Sequence, residues 1–246
     1  MSFMICAYAD ESGDKSIYSM SALLGKLSDF VELGRRWRRA LQEESIPEFH
    51  AAKLENHRRP YDGSSFDADR RAYLQRKFIG LITELPIWGF ATFVEIEALA
   101  TNDTALARFM SHREPYTFSF RMAVEVMALE VDGYRVKHEP IAFVFDQQKQ
   151  YEGKANEIYD YLSTDGNWPL AYRLGSISFE SRLHFVELQA ADTWAYESRK
   201  FATDTAINKN PERWQMRLFK HAGRFNVVGY TKETLPRLIA SLERER

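Results

Sequence analysis

Three aspartates have the residue type and the surroundings to act as ligands of a hard metal ion. Asp10 and Asp146 each end an apolar run of strand length, and Asp192 stands among alanines and a leucine within residues 185–201. A carboxylate in apolar surroundings is costly unless a positive group or hydrogen-bond donors meet it. Mg²⁺ and Mn²⁺ prefer such oxygen ligands. An arginine, a lysine or a group of backbone N–H donors is the alternative partner.

The chemistry that such a set of acids supports is phosphodiester hydrolysis. Two divalent ions held by shared carboxylates can activate a water molecule and stabilise the leaving oxygen. Any one of the three aspartates alone is more often structural than functional. The hypothesis therefore requires that the fold gather Asp10, Asp146 and Asp192 at one place.

Two predicted strands position the first two acids. Residues 4–10 form an apolar run that the turn residues 12–14 end, and alternation puts Cys6, Tyr8 and Asp10 on one face. The run 141–146 repeats this pattern. If the two strands are parallel neighbours, Asp10 and Asp146 emerge at the same end of the sheet, where ligands of open α/β sheets usually bind.

A late helix is predicted to bring the third acid to the sheet. Residues 185–201 have amphipathic helical spacing, with Asp192 in the interior of the segment. Aspartate is a poor residue for a helix interior and is rarely buried without a partner. The small side chains of Ala190, Ala191 and Ala195 would let this helix approach a sheet closely.

The remaining pattern predicts an α/β fold. Residues 17–25 are expected to form an antiparallel hairpin with the first strand. Further strands are expected at 87–96, 176–179 and 225–230. Helices are expected at 27–44, 66–85, 106–136 (one or two helices), 152–162, 208–221 and 231–245, and an exposed loop at 56–69.

Several other residues are candidates for supporting roles. Glu48 and His50 share a face if their segment is extended, which suits a general base or an outer-shell partner, although a surface ion pair is the ordinary explanation. Arginines around Trp37 and in the 56–69 loop could hold a nucleic-acid backbone, although arginines on a helix are more often a solvated face. These candidate arginines are Arg35, Arg38, Arg58 and Arg59.

Composition limits the class of protein. The 246 residues are 45% hydrophobic, enough for one domain, with a core at about 1–201 and peripheral C-terminal helices at about 202–246. A formal charge of −2 gives no global field for nucleic acid or membranes. One cysteine, no charged leader and no long apolar run predict a soluble cytoplasmic protein with no membrane partner.

Four segments give the sequence a resemblance to a known family. They are YADESGD at 8–14, EFHAAKL at 48–54, FVFD at 143–146 and ISFESRLHFVELQAADTWAY at 177–196. The chain resembles the bacterial domain of unknown function 3800 family, which is regarded as ribonuclease H-like. The chain departs from the family's usual aspartate-serine pair at Glu180 and Ser181.

The resemblance implies a ribonuclease H-like mixed β-sheet flanked by α-helices, here with extra C-terminal helices. It also implies that Asp10, Asp146 and Asp192 hold divalent metal. Glu11, Glu48 and His50 are implied as neighbours of the site. A fold does not fix a substrate, so this resemblance names none.

The expected function is a Mg²⁺- or Mn²⁺-dependent phosphodiesterase, most simply a nuclease acting on DNA or RNA with two metal ions. The alternative hypothesis is a module on the same fold that binds nucleic acid or a protein without chemistry. These hypotheses differ in whether the carboxylates converge. If Asp10, Asp146 and Asp192 lie far apart, only the predicted fold class remains supported.

Overall fold

A six-stranded mixed sheet forms the centre of the computed structural model, which describes residues 4–110, 113–133, 139–166 and 168–244. The strands are β1 Ile5–Gly13, β2 Ile17–Lys26, β3 Trp88–Glu95, β4 Ile141–Asp146, β5 Leu174–Glu180 and β6 Phe225–Tyr230. Their order across the sheet is β5-β4-β1-β2-β3-β6. β2 runs antiparallel to both neighbours, and the other adjacent strands are parallel pairs.

The antiparallel β1–β2 hairpin confirms the predicted pairing, and the parallel β1–β4 pair meets the condition under which Asp10 and Asp146 emerge at the same end of the sheet. The turn of the hairpin is short. The Asp14 side chain accepts hydrogen bonds from the backbone N–H groups of Ser16 and Ile17, at 2.8 and 2.9 Å. This arrangement is typical of an aspartate that stabilises a turn by satisfying nearby donors.

Helices cover both faces of the sheet. They are α1 Leu27–Glu43, α2 Ala51–Glu55, α3 Ala68–Thr83, α4 Ile96–Thr101, α5 Asp103–Leu106, α6 Pro115–Gly133, α7 Glu152–Thr164, α8 Val186–Ala202, α9 Trp214–His221 and α10 Leu235–Arg244. α8 lies across β1 and β2 on one face, with α1, α3 and α9 outside it. α6 and α7 cover the other face.

Alternation along β1 divides its side chains between two apolar cores. Cys6 and Tyr8 pack into the core beneath α8, whereas Ile5, Ala7 and Ala9 pack beneath α6 and α7. Both sets are buried because helices cover the strand on each side. The face of β1 that carries Cys6, Tyr8 and Asp10 is therefore the α8 face.

Three elements differ from their predicted boundaries. β1 continues beyond Asp10 to Gly13 because pairing with β2 extends to the Gly13–Tyr18 pair. The predicted helix over 106–136 is instead α6, beginning at Pro115 and preceded by the short helices α4 and α5; residues 111–112 and 134–136 lie outside the described residues. The predicted helix over 208–221 begins only at Trp214, because a π-helical turn extends α8 first.

Within the described part of the chain, no helix has both the length and the apolar character needed to cross a membrane.

Candidate functional site

Asp10 and Asp146 lie side by side on the sheet. Ala9 pairs with Phe145 in the parallel β1–β4 ladder, so the next residue on each strand is an aspartate. Neighbouring strands are about 4.8 Å apart. Both aspartates are buried, with Asp10 only 1% exposed.

Asp192 reaches the same place from α8. Ala190, Ala191 and Ala195 are fully buried beside it, and α8 packs directly against β1. Small side chains at a helix–sheet contact let the two backbones approach closely. The helix interior is an unfavourable position for an aspartate, so its placement here serves the site rather than the helix.

One guanidinium joins all three acids. Arg182 Nη2 contacts an oxygen of Asp146 and lies 3.5 Å from Asp10 Oδ2, and Nη1 donates a hydrogen bond to Asp192 Oδ1 at 3.1 Å. The backbone N–H of Arg182 also donates to Asp146 Oδ1 at 3.3 Å. Asp10, Asp146, Asp192 and Arg182 are called the acid cluster below.

Arg182 is the residue that the sequence analysis did not single out. It lies in the segment 177–196 that carried the family resemblance, two residues after β5 ends. The requirement that a buried carboxylate have a positive partner was a usable signal. An arginine was the alternative to a metal ion as the partner of these acids, and the structure places one there.

Asp10 is the least satisfied member of the acid cluster. Its Oδ2 atom is buried and makes no hydrogen bond, because Arg182 stands 3.5 Å away. Burial raises the pKa of Asp10 well above its usual value, and the charges of Glu11, Asp192 and Asp146 raise it further, while Arg182 works in the opposite direction. A buried oxygen without a partner is a position where a cation would be stabilised.

Glu11 adds a further carboxylate beside the acid cluster. Its backbone N–H donates to Asp10 Oδ1 at 2.8 Å. Alternation puts its side chain on the other face of β1 from Asp10. Burial raises the pKa of Glu11 to about 7, and the charge of Asp146 acts in the same direction. Glu11 thus lies next to the acid cluster along β1.

The segment before α2 contacts Asp192, but Glu48 and His50, which were predicted to share a face, have different partners. His50 Nδ1 lies 3.0 Å from Asp192 Oδ2 without hydrogen-bond alignment, and the N–H of Ala51 donates to the same oxygen at 3.2 Å. The Glu48 carboxylate instead accepts a 2.5 Å hydrogen bond from Lys53. His50 therefore contacts the acid cluster, whereas Glu48 forms the ordinary ion pair.

Gln189 fixes the surroundings of the acid cluster. It is buried on α8, and its Oε1 accepts hydrogen bonds from Trp37 Nε1 and from the N–H of Phe49, at 3.1 and 2.9 Å. Its Nε2 donates to the backbone carbonyl of Arg182 at 3.0 Å. One amide thus joins α1, the segment before α2 and the turn that carries Arg182.

Glu180 lies beside Asp146 across the parallel β4–β5 pair, where the two residues are direct partners. In-register residues of neighbouring strands project to the same face. The glutamate at which the chain departs from the family pattern thus stands next to the acid cluster. It is half-buried and offers a longer side chain than the usual aspartate.

The candidate nucleic-acid-binding arginines lie on the surface, and several have acidic partners. Arg35 donates two hydrogen bonds to Glu32, and Arg38 lies 3.8 Å from Glu187. Arg58 and Arg59 are exposed in the loop that follows α2.

The donor set fits a divalent ion, but a guanidinium stands among the donors. The site has three buried carboxylates, and one oxygen of Asp10 is unpaired. Carboxylate oxygens are the ligand type that Mg²⁺ and Mn²⁺ prefer. In the ranges that the structure describes, no group of three or more histidine, cysteine, aspartate or glutamate side chains is already arranged to hold an ion. A bound ion would require the guanidinium of Arg182 to move.

Comparison with known proteins adds no relative. No protein-family model matches the chain, and a search of curated proteins finds no significant match. The geometry of the acid cluster therefore carries the functional interpretation.

Proposed function

We propose that this protein is a Mg²⁺- or Mn²⁺-dependent phosphodiesterase that hydrolyses nucleic acid. The observation that carries the proposal is the convergence of Asp10, Asp146 and Asp192, from two parallel strands and a helix, on one buried point. Three carboxylates there face one guanidinium, so negative charge is in excess. An excess of buried negative charge is costly and is relieved by binding cations.

The fold supports a ribonuclease H-like assignment within this proposal. The chain has a mixed sheet with helices on both faces, which is the architecture that the resemblance to the domain of unknown function 3800 family implies. Asp10 and Asp146 stand on adjacent parallel strands near the C-terminal ends of these strands, where ligands of α/β sheets usually bind.

Each residue of the site has a distinct role under the proposal. Asp10, Asp146 and Asp192 would hold the metal, with Asp10 in the central position. The metal ions would supply an activated water molecule and stabilisation of the leaving oxygen. The N–H of Ala51 orients the carboxylate of Asp192 and His50 lies beside it, and such outer partners typically tune ligand affinity.

One observation favours a second candidate, a module that binds nucleic acid or a protein without chemistry. Arg182 already contacts all three acids, and a permanent ion cluster of this kind can be purely structural. In that case the acids would need no metal. Nucleic-acid affinity, if present, would depend on surface arginines such as Arg35 and Arg38 and would fall steeply with salt.

Cleavage assays separate the two candidates. Labelled single- and double-stranded DNA and RNA are incubated with the protein in Mn²⁺, in Mg²⁺ and in EDTA. We expect metal-dependent cleavage that Asp10→Asn and Asp192→Asn each reduce by at least about 100-fold, because a removed ligand disrupts the metal site. Circular dichroism checks that both variants fold.

Asp14→Asn is the matched control, since Asp14 lies in the same hairpin but contacts Arg199 rather than the acid cluster. We expect this variant to retain cleavage. Undiminished cleavage by both Asp10→Asn and Asp192→Asn would exclude the metal mechanism. A protein that binds nucleic acid without cleaving it would support the binding module, provided that Arg35→Ala and Arg38→Ala weaken the binding. Asp10→Asn and Asp192→Asn should then leave the binding unchanged.

A further inference from the structure

The guanidinium of Arg182 occupies the position that lies between the three acids. Its two terminal nitrogens contact Asp10, Asp146 and Asp192 at once. A divalent ion bound by the same oxygens would lie within the contact distance of these nitrogens. Two positive groups in one buried site repel strongly, so both cannot remain there.

The backbone of Arg182 is held independently of its side chain. Its carbonyl accepts a hydrogen bond from Gln189 Nε2 at 3.0 Å, and its N–H donates to Asp146 Oδ1. The turn therefore keeps its place on α8 and β4 when the guanidinium leaves. Only side-chain torsions need to change, and such changes are fast compared with backbone rearrangement.

A path to solvent is open to the guanidinium. The side chain of Arg182 is 21% exposed, and the turn that follows carries exposed residues, including Leu183 at 67%. Residues 183–185, which follow Arg182, are all exposed, and β5, the strand before it, is the edge strand of the sheet. A displaced guanidinium therefore reaches water without unfolding any element.

The charges explain why such an exchange is favourable. Burial lowers the pKa of Arg182, but the charges of Asp10, Asp192 and Asp146 outweigh burial and raise it, so the guanidinium stays charged. It nevertheless contributes one positive charge against three carboxylates and leaves Asp10 Oδ2 without a hydrogen bond. A divalent ion brings two charges and can bind that oxygen directly.

We propose that Arg182 and the divalent metal are alternative occupants of the acid cluster, so that the guanidinium stabilises the metal-free protein and is displaced when metal binds. This inference rests on the proposed function and adds a regulatory role to it. Arg182 lowers metal affinity by competing for the ligands, and it protects the folded protein from the repulsion of its own acids when metal is scarce.

Metal affinity measured by calorimetry tests the competition without any cleavage assay. Mn²⁺ is titrated into the wild-type protein, Arg182→Gln and Arg199→Gln. Arg199 is the matched control, because it is a largely buried arginine on α8 that binds Asp14 instead of the acid cluster. We expect Arg182→Gln to bind Mn²⁺ at least about tenfold more tightly, equivalent to about 1.4 kcal/mol, and Arg199→Gln to change affinity less than threefold.

Restoring the competitor is a second form of this test. In Arg182→Ala, low millimolar guanidinium chloride should weaken Mn²⁺ binding more than sodium chloride of equal ionic strength does. The free guanidinium ion can enter the position that the Arg182 side chain has left. The wild-type protein should show no such difference between the two salts.

The wild-type protein can also be tested directly in case the variants do not fold. Nitrogen-15 labelled arginine gives a side-chain Nε–H signal for each buried guanidinium. We expect the Arg182 signal to be protected in EDTA and to exchange rapidly with water in Mg²⁺. The signal of Arg213, a buried arginine bound to Glu55 and Glu197, should not change.

The outcomes separate failure of this inference from failure of the proposed function. If neither the wild type nor Arg182→Gln binds Mn²⁺ or Mg²⁺, the proposed function falls and takes the inference with it. If the wild type binds metal while Arg182→Gln binds no more tightly, or the Arg182 signal keeps its protection in Mg²⁺, the competition is wrong and the metal-dependent function stands.

Discussion

Two buried ionic clusters lie on α8, and they differ in charge balance. The acid cluster sets three carboxylates against Arg182. The second cluster lies little more than one helical turn further along α8. It contains Arg213 and Lys200 with Glu55 and Glu197, and is called the Arg213 cluster.

The Arg213 cluster has two acids and two bases. Arg213 donates to both oxygens of Glu55, at 2.9 and 2.5 Å, and Lys200 lies 3.6 Å from Glu55. Its charges balance within the protein, which is expected of a structural ion network. The acid cluster is more deeply buried, since its three carboxylate side chains are at most 9% exposed, and it lacks this balance, so a positive ligand from outside the protein can stabilise it.

The largest effect on stability is expected at the Arg213 cluster. Arg213→Met leaves Glu197 buried without a guanidinium, and removing one partner of a buried pair typically costs about 3–5 kcal/mol of unfolding free energy. Urea unfolding in EDTA and in Mn²⁺ should give the same loss, because metal does not bind there. In Arg182→Gln, by contrast, Mn²⁺ should restore the stability lost in EDTA. Recovery of Arg213→Met by Mn²⁺ would remove the distinction between the clusters.

A smaller effect is expected from the ionisation of Glu197, which is 1% exposed. Burial raises its pKa to about 7, although Arg213 acts to lower it. The native state thus binds a proton more tightly than the unfolded state, whose glutamate has a pKa of about 4.3. The stabilisation is fully present below the unfolded pKa and is lost as pH rises through about 7.

Glu197→Gln should remove this part of the pH dependence. Unfolding free energies at about pH 5 and about pH 8 should differ less in the variant than in the wild type, by on the order of 2 kcal/mol. Arg213→Met is unsuitable as a control because it removes the ion partner. Glu212→Gln provides one, since Glu212 pairs with Lys220 outside both clusters. An unchanged pH dependence in Glu197→Gln would show that Glu197 is not the group responsible.

Neutralising one acid of the acid cluster should raise stability. In EDTA at neutral pH, Asp10→Asn removes a carboxyl group whose ionisation burial and neighbouring acids disfavour, and we expect a gain of about 1–2 kcal/mol in unfolding free energy. Asp14→Asn should instead lower stability, because Arg199 and two backbone donors stabilise the Asp14 carboxylate and lower its pKa. A loss of stability in Asp10→Asn would mean that Arg182 already compensates the acids fully.

The smallest effect is expected on the exposed face of α1. Arg35 is 63% exposed and pairs with Glu32 within the helix, and such pairs contribute little. We expect Arg35→Ala to move the thermal midpoint by no more than about 2 °C, measured by differential scanning fluorimetry. A larger change would indicate that the surface pairs act as a network. The difference between the stability losses of Arg213→Met and Arg35→Ala then measures how much burial adds to the contribution of an ion pair.

The positions of Asp10 and Asp146 could be predicted from the sequence, whereas their partner Arg182 could not. An apolar run ending in aspartate occurs twice, and the parallel pairing of β1 and β4 confirmed that these runs place Asp10 and Asp146 together. Alternation assigned Asp10 to the same face of β1 as Cys6 and Tyr8, and α8 covers that face. These predictions succeeded because strand periodicity is a local property that the residues themselves carry.

Arg182 and Gln189 could not be predicted in the same way. Arg182 follows a short strand in a polar turn, where arginine is ordinary, and its contacts come from residues distant in sequence. Gln189 joins three segments through one buried amide, a role that no spacing rule encodes. Predicted boundaries were also less accurate where tertiary pairing lengthened β1 and where the short helices α4 and α5 precede α6.

The position of β1 in the sheet has a consequence for synthesis of the protein. β2 follows β1 immediately along the chain, but β4, the other neighbour of β1, emerges from the ribosome more than a hundred residues later. One edge of β1 stays unpaired during that time, and open edges of apolar strands favour aggregation. α8 is made later still, so the emerging chain cannot gather its three aspartates, and any cleavage activity must wait until most of the protein has been made.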